Sequence, residues 1–167
     1  MTALRCWLIG AAALTLAGCQ PKTAGVDAPA DMAREADAIR GGEADRKEEV
    51  SEKDLDKAAS HFAPNAMIAL PGAEPVRGTA EIRTTLAQAF KDPAFALTWT
   101  PDRIVVSKYA DLAWASGRYS LTRTDPATRK ASTVQGPFVE TFTKAPDGRW
   151  LVSTGVLSQL SPPPADQ

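Results

Sequence analysis

The segment His61–Gly78, with the sequence HFAPNAMIALPGAEPVRG, decides how the chain around it is interpreted. The residues that lead into it follow an apolar stripe typical of a helix, and Pro64 ends that pattern. Ala66–Leu70 is short and apolar, which predicts a strand, and Pro71-Gly72 predicts the turn that stops it. A second helical stripe of apolar residues then follows at four-residue spacing: Ile82, Leu86 and Phe90.

The region before this segment predicts two helices. Ala30 to about Val50 is rich in Ala, Glu, Asp and Arg, a composition that suits a helix. The pair Gly41-Gly42 weakens its middle and leaves room for a kink or break. The stretch Glu43–Glu49 mixes both signs of charge and is interpreted as a solvated helix face. Ser51, with Asp54 three residues later, resembles a capping box and predicts the start of the second helix.

The region after the segment changes to a period of two, which predicts strands. Chain-reversing residues separate the strands, so sequential pairing into an antiparallel meander is expected. Helices followed by strands indicate the α+β class. The four predicted strands are Phe95–Val106 (with a break near Pro101-Asp102), Leu112–Arg123, Ala131–Lys144 and Arg149–Leu157.

The N-terminus carries an apolar run, Trp7–Ala17, behind Arg5, with the length of a signal peptide. It closes with Leu16-Ala17-Gly18-Cys19, which resembles the lipobox of bacterial lipoproteins, where the chain is cut before the Cys and the thiol is lipidated. The alternative is an ordinary secretory signal with a chance Cys. The chain is therefore divided into a signal peptide (1–18), a flexible tether (19–30), one folded domain (31–160) and a disordered proline-rich tail (161–167).

Several classes of site are not expected. The formal net charge of −1 argues against a nucleic-acid surface. His61 is the single His and has no second His or Cys at ligand spacing, so no metal site is predicted. Cys6 leaves with the signal and Cys19 is used by the lipid, so no disulfide is expected. We find no G-x-S-x-G and no glycine-rich phosphate loop, and no cofactor is expected.

Three segments, in order and at matching spacing, resemble one superfamily. They are Phe62–Arg83, Asp111–Thr122 and Pro146–Val152. The chain resembles the NTF2-like (cystatin-like) superfamily, in its DUF4440 or SnoaL-like branch, which includes ketosteroid-isomerase-like proteins. The resemblance covers about Met32 to Leu160. It implies a cone in which N-terminal helices pack inside a strongly bent antiparallel sheet, and a dimer formed through that sheet.

The acids that the resemblance would place in an active site are missing. The isomerases carry a general-base Asp where this chain has Ala69-Leu70, and neither side chain can accept a proton. Many members have an Asp at the position of Asn65, and another acid in the region that reads Val152–Gly155 here. These departures argue against acid–base catalysis by analogy.

One acid remains in a suggestive place. Glu140 shares a strand face with Phe138 and Phe142, and by resemblance it lies near the isomerases' second acid, a hydrogen-bond donor to the oxyanion. Desolvation among aromatic rings would raise the pKa of such an acid. The alternative is that Glu140 pairs with Arg118 or Arg149 across the sheet, or faces solvent.

The first interpretation is a membrane-anchored, non-catalytic domain that binds a small apolar or amphipathic ligand, or a protein partner. The first alternative is an isomerase, cyclase or hydratase that uses Glu140, and the second is a structural envelope lipoprotein without a ligand. Gln20, rather than Asp, follows Cys19, which favours the periplasmic side of the outer membrane by resemblance to lipoprotein sorting. The candidate pocket residues are Phe62, Trp99, Tyr119, Glu140 and Phe142.

Overall fold

The computed structural model describes residues 29–160. The predicted signal peptide, the C-terminal tail and most of the predicted tether, with Cys19, lie outside these residues. The α+β class is confirmed, because helices and one six-stranded sheet build the domain. The elements are α1 (Pro29–Glu52), α2 (Leu55–Ser60), β1 (Phe62–Ala69), β2 (Val76–Arg77), α3 (Gly78–Lys91), β3 (Ala96–Val106), β4 (Leu112–Thr124), β5 (Ala131–Lys144) and β6 (Trp150–Leu157).

Helix α1 runs without a break through Gly41-Gly42, so the predicted kink there is wrong. Ile39 and Glu43, on either side of the glycines, are both buried. These tertiary contacts outweigh the low helix propensity of two glycines. The helix begins at Pro29, so the last two residues of the predicted tether are helical. Proline is tolerated at this position because a backbone N–H in the first turn of a helix has no intrahelical acceptor.

The cap between the first two helices is Asp54, not Ser51. The Asp54 side chain accepts a hydrogen bond from the Lys57 backbone N–H, at 3.2 Å, and so caps α2. Ser51 is still inside α1, where its hydroxyl donates to the Glu48 carbonyl at 2.8 Å. Lys53 takes a left-handed backbone conformation, with φ of 59°, and turns the chain between the two helices.

Strand β1 begins earlier than the sequence suggests. Helix α2 ends at Ser60, and Pro64 lies inside β1 rather than at a helix end. The Val152 N–H donates to the His61 carbonyl at 2.8 Å and starts the pairing with β6. The register shifts between Phe62 and Met67, and this irregularity accommodates the proline, which has no N–H to donate.

The sheet has the order β2-β1-β6-β5-β4-β3. The meander predicted from β3 to β6 is confirmed, since each neighbouring pair is antiparallel. Strand β1 lies parallel to β6, and β2 pairs with β1 at the edge. The sheet curls around the helices without closing, which gives the bent NTF2-like form expected from the resemblance.

A glycine of β4 and a bulge of β3 lie side by side in the sheet. A Cβ on Gly117 of β4 would overlap the Thr100 carbonyl oxygen and lie 2.8 Å from the Phe138 ring. Beside it, the β3–β4 register shifts between Pro101 and Arg103. The break predicted near Pro101-Asp102 is thus a bulge within a continuous strand, which increases local twist.

The core fills the inside of the curl in adjoining clusters. One cluster places Val50 of α1 against Trp99, Tyr119 and Phe138 of the sheet. A second places Ile39 of α1 against apolar residues of β4, β5 and β6: Ala113, Ala115, Phe142 and Val152. Within residues 29–160, no helix combines the length and the apolar composition that crossing a membrane requires.

Gly117→Ala should destabilise the domain, because the added methyl group has no space against Thr100 and Phe138. We expect a loss of about 2 kcal/mol in the free energy of unfolding, measured by urea denaturation. Ser116→Ala, at the neighbouring half-buried position, is the control and should change stability by less than about 1 kcal/mol. Equal stability of the two variants would contradict the role given to Gly117.

Candidate functional site

The charged stretch of α1 is not a solvated face. Buried residues recur along the helix at intervals of three and four: Glu35, Ile39, Glu43, Arg46 and Val50. This spacing places them on one stripe that faces the sheet. Three of the five are charged, so the solvated-face interpretation of Glu43–Glu49 is wrong for Glu43 and Arg46. Each buried charge has a partner inside the domain.

Arg46 lies at the centre of a buried cluster, called here the Glu43–Arg46–Glu140 cluster. Its Nη2 donates to Glu43 Oε2 at 2.9 Å and to Glu140 Oε2 at 2.6 Å. The Trp99 indole N–H also donates to Glu43 Oε2, at 2.6 Å. The Arg46 side chain is only 5% exposed. The cluster therefore joins α1 to β3 and β5 through charge-assisted hydrogen bonds.

Aromatic rings and a glycine complete the surroundings of the cluster. The Arg46 guanidinium carbon lies 4.7 Å from the Trp99 ring centroid and 5.4 Å from the Phe62 ring centroid. A buried guanidinium is favoured between aromatic faces. Gly155 of β6 pairs with Glu140, and a Cβ there would lie 3.4 Å from Glu140 Oε1 and 2.9 Å from Ile68 Cδ1. The missing side chain leaves room for the Glu140 carboxylate.

Burial raises the pKa of Glu43 to about 7. The attraction of Arg46 opposes this shift, while the nearby Glu140 charge adds to it. Burial opposes the charge of Arg46, but the two carboxylates outweigh it and raise the pKa of the guanidinium. Arg46 therefore stays cationic, and near pH 7 Glu43 changes between its neutral and its charged form.

A small interior cavity adjoins the cluster. Its volume is about 70 Å³. Two buried polar atoms on its lining side chains, Arg46 Nε and Tyr119 Oη, have no hydrogen-bond partner within residues 29–160. Burial raises the pKa of Tyr119, so its hydroxyl stays a neutral donor. The lining consists of Arg46, Ile68, Leu70, Leu97, Trp99, Tyr119, Phe138, Glu140 and Leu157.

The structure brings three of the five candidate pocket residues together. Trp99, Tyr119 and Glu140 line the interior cavity. Phe142 does not line it, because it packs with Ile39 and Val152 in the neighbouring core cluster. Phe62 contacts the Arg46 guanidinium instead of lining the cavity.

The partner of Glu140 is Arg46, which the sequence alternatives did not include. Arg118 is exposed, and Arg149 donates to Asp147 on its own hairpin at 2.9 Å. Glu43 and Arg46 were not among the site residues predicted from the sequence. Their signal was present, because Ile39, Glu43, Arg46 and Val50 continue one three-and-four spacing.

The remaining candidates have simple local roles. Leu70, in the slot of the isomerases' base, adds an apolar side chain to the cavity. Asn65 is exposed. His61 Nε2 lies 2.8 Å from Glu49 Oε2. No group of three or more His, Cys, Asp or Glu side chains in the described part of the chain is arranged to hold a metal ion.

The family model of the SnoaL-like domain matches residues 47–152, which is well over half of the 167-residue chain. The chain belongs to the SnoaL-like domain family. No curated protein matches the sequence.

Solved structures share the fold at low sequence identity. A ketosteroid isomerase-like protein from Erwinia carotovora atroseptica SCRI1043 is 18% identical, with a TM-score of 0.65 over 77% of this chain and 98% of that one. An NTF2-like protein of unknown function from Shewanella oneidensis MR-1 is 22% identical, with a TM-score of 0.58 over 72% and 95%. A proposed dehydratase of the NTF2-like family from Streptomyces avermitilis is 13% identical, with a TM-score of 0.59 over 74% and 95%. These likenesses support the fold alone.

Glu43→Gln should remove a pH dependence of stability. The raised pKa means that folded Glu43 keeps a proton that the unfolded chain releases above pH 4.5. Stability therefore falls as the pH rises from about 4.5 through 7. Relative to Glu43→Gln, the native protein should lose about 2 kcal/mol of unfolding free energy between pH 5 and 7.5.

Urea denaturation of both proteins across this range measures that difference. Glu35 and Asp92 have lowered pKa values, are unchanged in the variant, and so cancel in the comparison. Parallel stability profiles of the two proteins would show that Glu43 does not titrate in this window.

Proposed function

We propose that this protein is a lipid-anchored, non-catalytic binding protein, whose SnoaL-like domain holds one small amphipathic molecule in the interior cavity. The observation that carries the proposal is the pair of unpartnered buried donors, Arg46 Nε and Tyr119 Oη, on one cavity. A buried polar group without a partner costs about 1–3 kcal/mol. A ligand oxygen that accepts from either donor offsets that cost.

The rest of the cavity lining suits a ligand that carries an apolar body beside its hydrogen-bonding oxygen. Ile68, Leu70, Leu97 and Leu157 are half-buried, so the cavity has apolar walls next to its polar end. Binding sites for small molecules commonly combine apolar walls with a few fixed polar groups. The volume of about 70 Å³ limits the part of the ligand that enters to a small group.

The non-catalytic reading rests on where the acids are. Leu70 in the base slot cannot accept a proton. Glu140 lines the cavity, but its Oε2 already accepts a hydrogen bond from Arg46 Nη2 at 2.6 Å, so this oxygen is engaged inside the protein. Glu43, the group with a pKa near 7, does not line the cavity.

A second candidate function is acid–base chemistry at Glu140, by analogy with the isomerase-like and dehydratase-like proteins of the same fold. The observation in its favour is the pair of buried carboxyl groups bridged by Arg46, because paired acids with different environments can divide acid and base roles. A catalytic site would exchange ligand hydrogen for deuterium in D₂O, and Glu140→Gln would stop that exchange. A purely binding site would leave the ligand unlabelled.

The protein partner that we propose first is a second copy of this chain. Val139 and Val156 are register partners on the outer face of the sheet, and both are substantially exposed. Adjacent exposed valines on a sheet favour association with another apolar surface. The envelope location is part of the same proposal: the lipobox resemblance at Cys19 supports it, and Gln20 favours the outer membrane with a periplasm-facing domain. A triacylated cysteine would hold the protein on a membrane stably.

Native mass spectrometry of the chain from residue 20 onward, purified without detergent, should show an added mass that disappears on denaturation. Tyr119→Phe should lower ligand affinity about three- to tenfold, since one buried hydrogen bond is lost. Tyr109→Phe is the matched control, because Tyr109 is 61% exposed. The same spectra should show a dimer. A ligand-free native protein, or equal occupancy in both variants, would contradict the binding proposal.

Cys19→Ser should move the protein from the membrane fraction to the soluble fraction, because the lipid attachment site is lost. Cell fractionation followed by mass analysis of the mature N-terminus measures this change. Cys6→Ser removes the other cysteine of the chain and should leave the protein on the membrane. Retention of Cys19→Ser in the membrane fraction would contradict lipid anchoring.

A further inference from the structure

A second concave site lies between α1 and the β5–β6 hairpin, and is called here the hairpin groove. Its volume is about 330 Å³, and it shares no lining residue with the interior cavity. Its apolar floor contains three buried side chains, Ile39, Phe142 and Val152. Its size is that of a small organic molecule. The full lining is Ala38, Ile39, Gly42, Glu43, Asp45, His61, Phe142, Gly148, Arg149, Trp150, Leu151 and Val152.

The groove exists because one face of α1 carries small residues. Ala38 and Gly42 are four residues apart and therefore lie on the same face of the helix. A Cβ built on Gly42 would meet no atom within 4 Å. Glycine inside a helix is less favourable than alanine, yet no neighbour within residues 29–160 requires its small size. Its missing side chain leaves space for a molecule against the helix.

The groove is lined by charges of both signs, and among them the exposed charge without an ion pair in residues 29–160 is the acid Asp45. Asp45 is exposed at its edge and forms no ion pair within residues 29–160, in contrast to Arg46 beside it. Glu43 lines the groove from α1, on the helix that also carries Asp45. The cation on the hairpin, Arg149, is already paired with Asp147 at 2.9 Å. His61 lies 2.8 Å from Glu49, a second carboxylate.

We propose that the hairpin groove is a second ligand site, which takes a small amphipathic cation such as an aryl or alkyl amine. The apolar body of the molecule lies against the partly exposed Gly42, Trp150 and Leu151, above the buried floor of Ile39, Phe142 and Val152. The ammonium group lies toward Asp45 and Glu43. An organic cation here complements the acidic edge, whereas an organic anion would be repelled by it.

The protonation state of Glu43 is compatible with a cationic ligand in the groove. Its carboxyl group is faced by Arg46 from α1, by Glu140 from β5 and by the Trp99 indole from β3. Burial among these groups leaves it near its midpoint at pH 7, so a nearby cation can draw it into the ionised form. The site does not depend on the interior cavity, so it stands apart from the proposed function.

Three probes of similar size test the charge of the ligand. We would titrate benzylamine, benzyl alcohol and benzoate into the full chain as expressed, labelled with ¹⁵N-tryptophan, and follow the Trp150 indole N–H signal. Benzylamine should shift this signal saturably and bind several-fold tighter than benzyl alcohol, with benzoate the weakest. Absence of a saturable shift with benzylamine, or tighter binding of benzoate, would overturn the proposal.

Two glycine variants test the place of the site. Gly42→Leu should fill the groove and abolish the benzylamine shift. Gly41→Leu is the matched control, because Gly41 is exposed, has open space at its Cβ and does not line the groove. Both substitutions replace glycine with a stronger helix former, so neither should lower the melting temperature. Equal benzylamine binding by the two variants would overturn the assignment.

Asp45→Asn removes a negative charge at the edge of the groove while keeping the size of the side chain. It should weaken benzylamine about three- to fivefold, as expected for loss of an exposed ion pair, and change benzyl alcohol less than about twofold. Tyr119→Phe should leave the affinities for benzylamine and benzyl alcohol unchanged, because Tyr119 lines the interior cavity and not the hairpin groove. An unchanged benzylamine affinity in Asp45→Asn would show that the edge does not select a cation.

Discussion

The ion pairs of Arg46 with Glu43 and Glu140 are the interaction on which the arrangement of this domain depends. They connect the long N-terminal helix to the curled sheet. Glu43 also accepts a hydrogen bond from the Trp99 indole of β3, and the Arg46 guanidinium lies over the Phe62 ring of β1. A buried ion pair is a weak source of net stability, because desolvation offsets the attraction. Its contribution is to specify one position: a shift of α1 along or around its axis would leave charges buried without partners.

The same cluster explains why the two candidate sites differ in character. On one side, Arg46 and Glu140 present a polar end to an apolar cavity. On the other, Glu43 faces the hairpin groove next to Asp45. The helix thus separates a site with unused hydrogen-bond donors from a site with an acidic edge. The charged residues on the buried stripe of α1 therefore contribute to both sites: Arg46 to the interior cavity and Glu43 to the hairpin groove.

Much of the fold could be predicted from sequence, because period-two strands and turn residues report local structure directly. The meander from β3 to β6 and the α+β class followed from these signals. The errors lie where tertiary contacts overrode local preference. Gly41-Gly42 does not break α1, because buried residues on both sides hold the helix, and Pro64 is accommodated in β1 by a register irregularity beside β6.

The site was predictable only in part, for a related reason. Strand alternation predicted that Glu140 shares a face with Phe138 and Phe142, and the structure buries all three. Trp99 and Tyr119 line the same cavity as Glu140, from β3 and β4. Phe142 shares that face, but the β5–β6 register shifts between Thr141 and Phe142, and its ring packs in the next cluster. The mixed charges of this stretch predicted a solvated face, whereas the spacing of Glu43 and Arg46 with Ile39 places both on the buried stripe. Only the position of α1 in the sheet reveals that each has a partner.

The role of Arg46 in positioning α1 is tested most directly by the free energy of unfolding of Arg46→Met. The comparison is the triple variant that also carries Glu43→Gln and Glu140→Gln. Removing Arg46 alone leaves two buried carboxyl groups without their cation, so we expect a loss of about 3–5 kcal/mol. The triple variant should recover most of this loss, because no uncompensated charge remains in the cluster. Arg40→Met, which removes an exposed partner of Asp37 on the same helix, should change stability by less than about 1 kcal/mol. A loss from Arg46→Met no larger than that of Arg40→Met, or a triple variant no more stable than the single, would contradict the account.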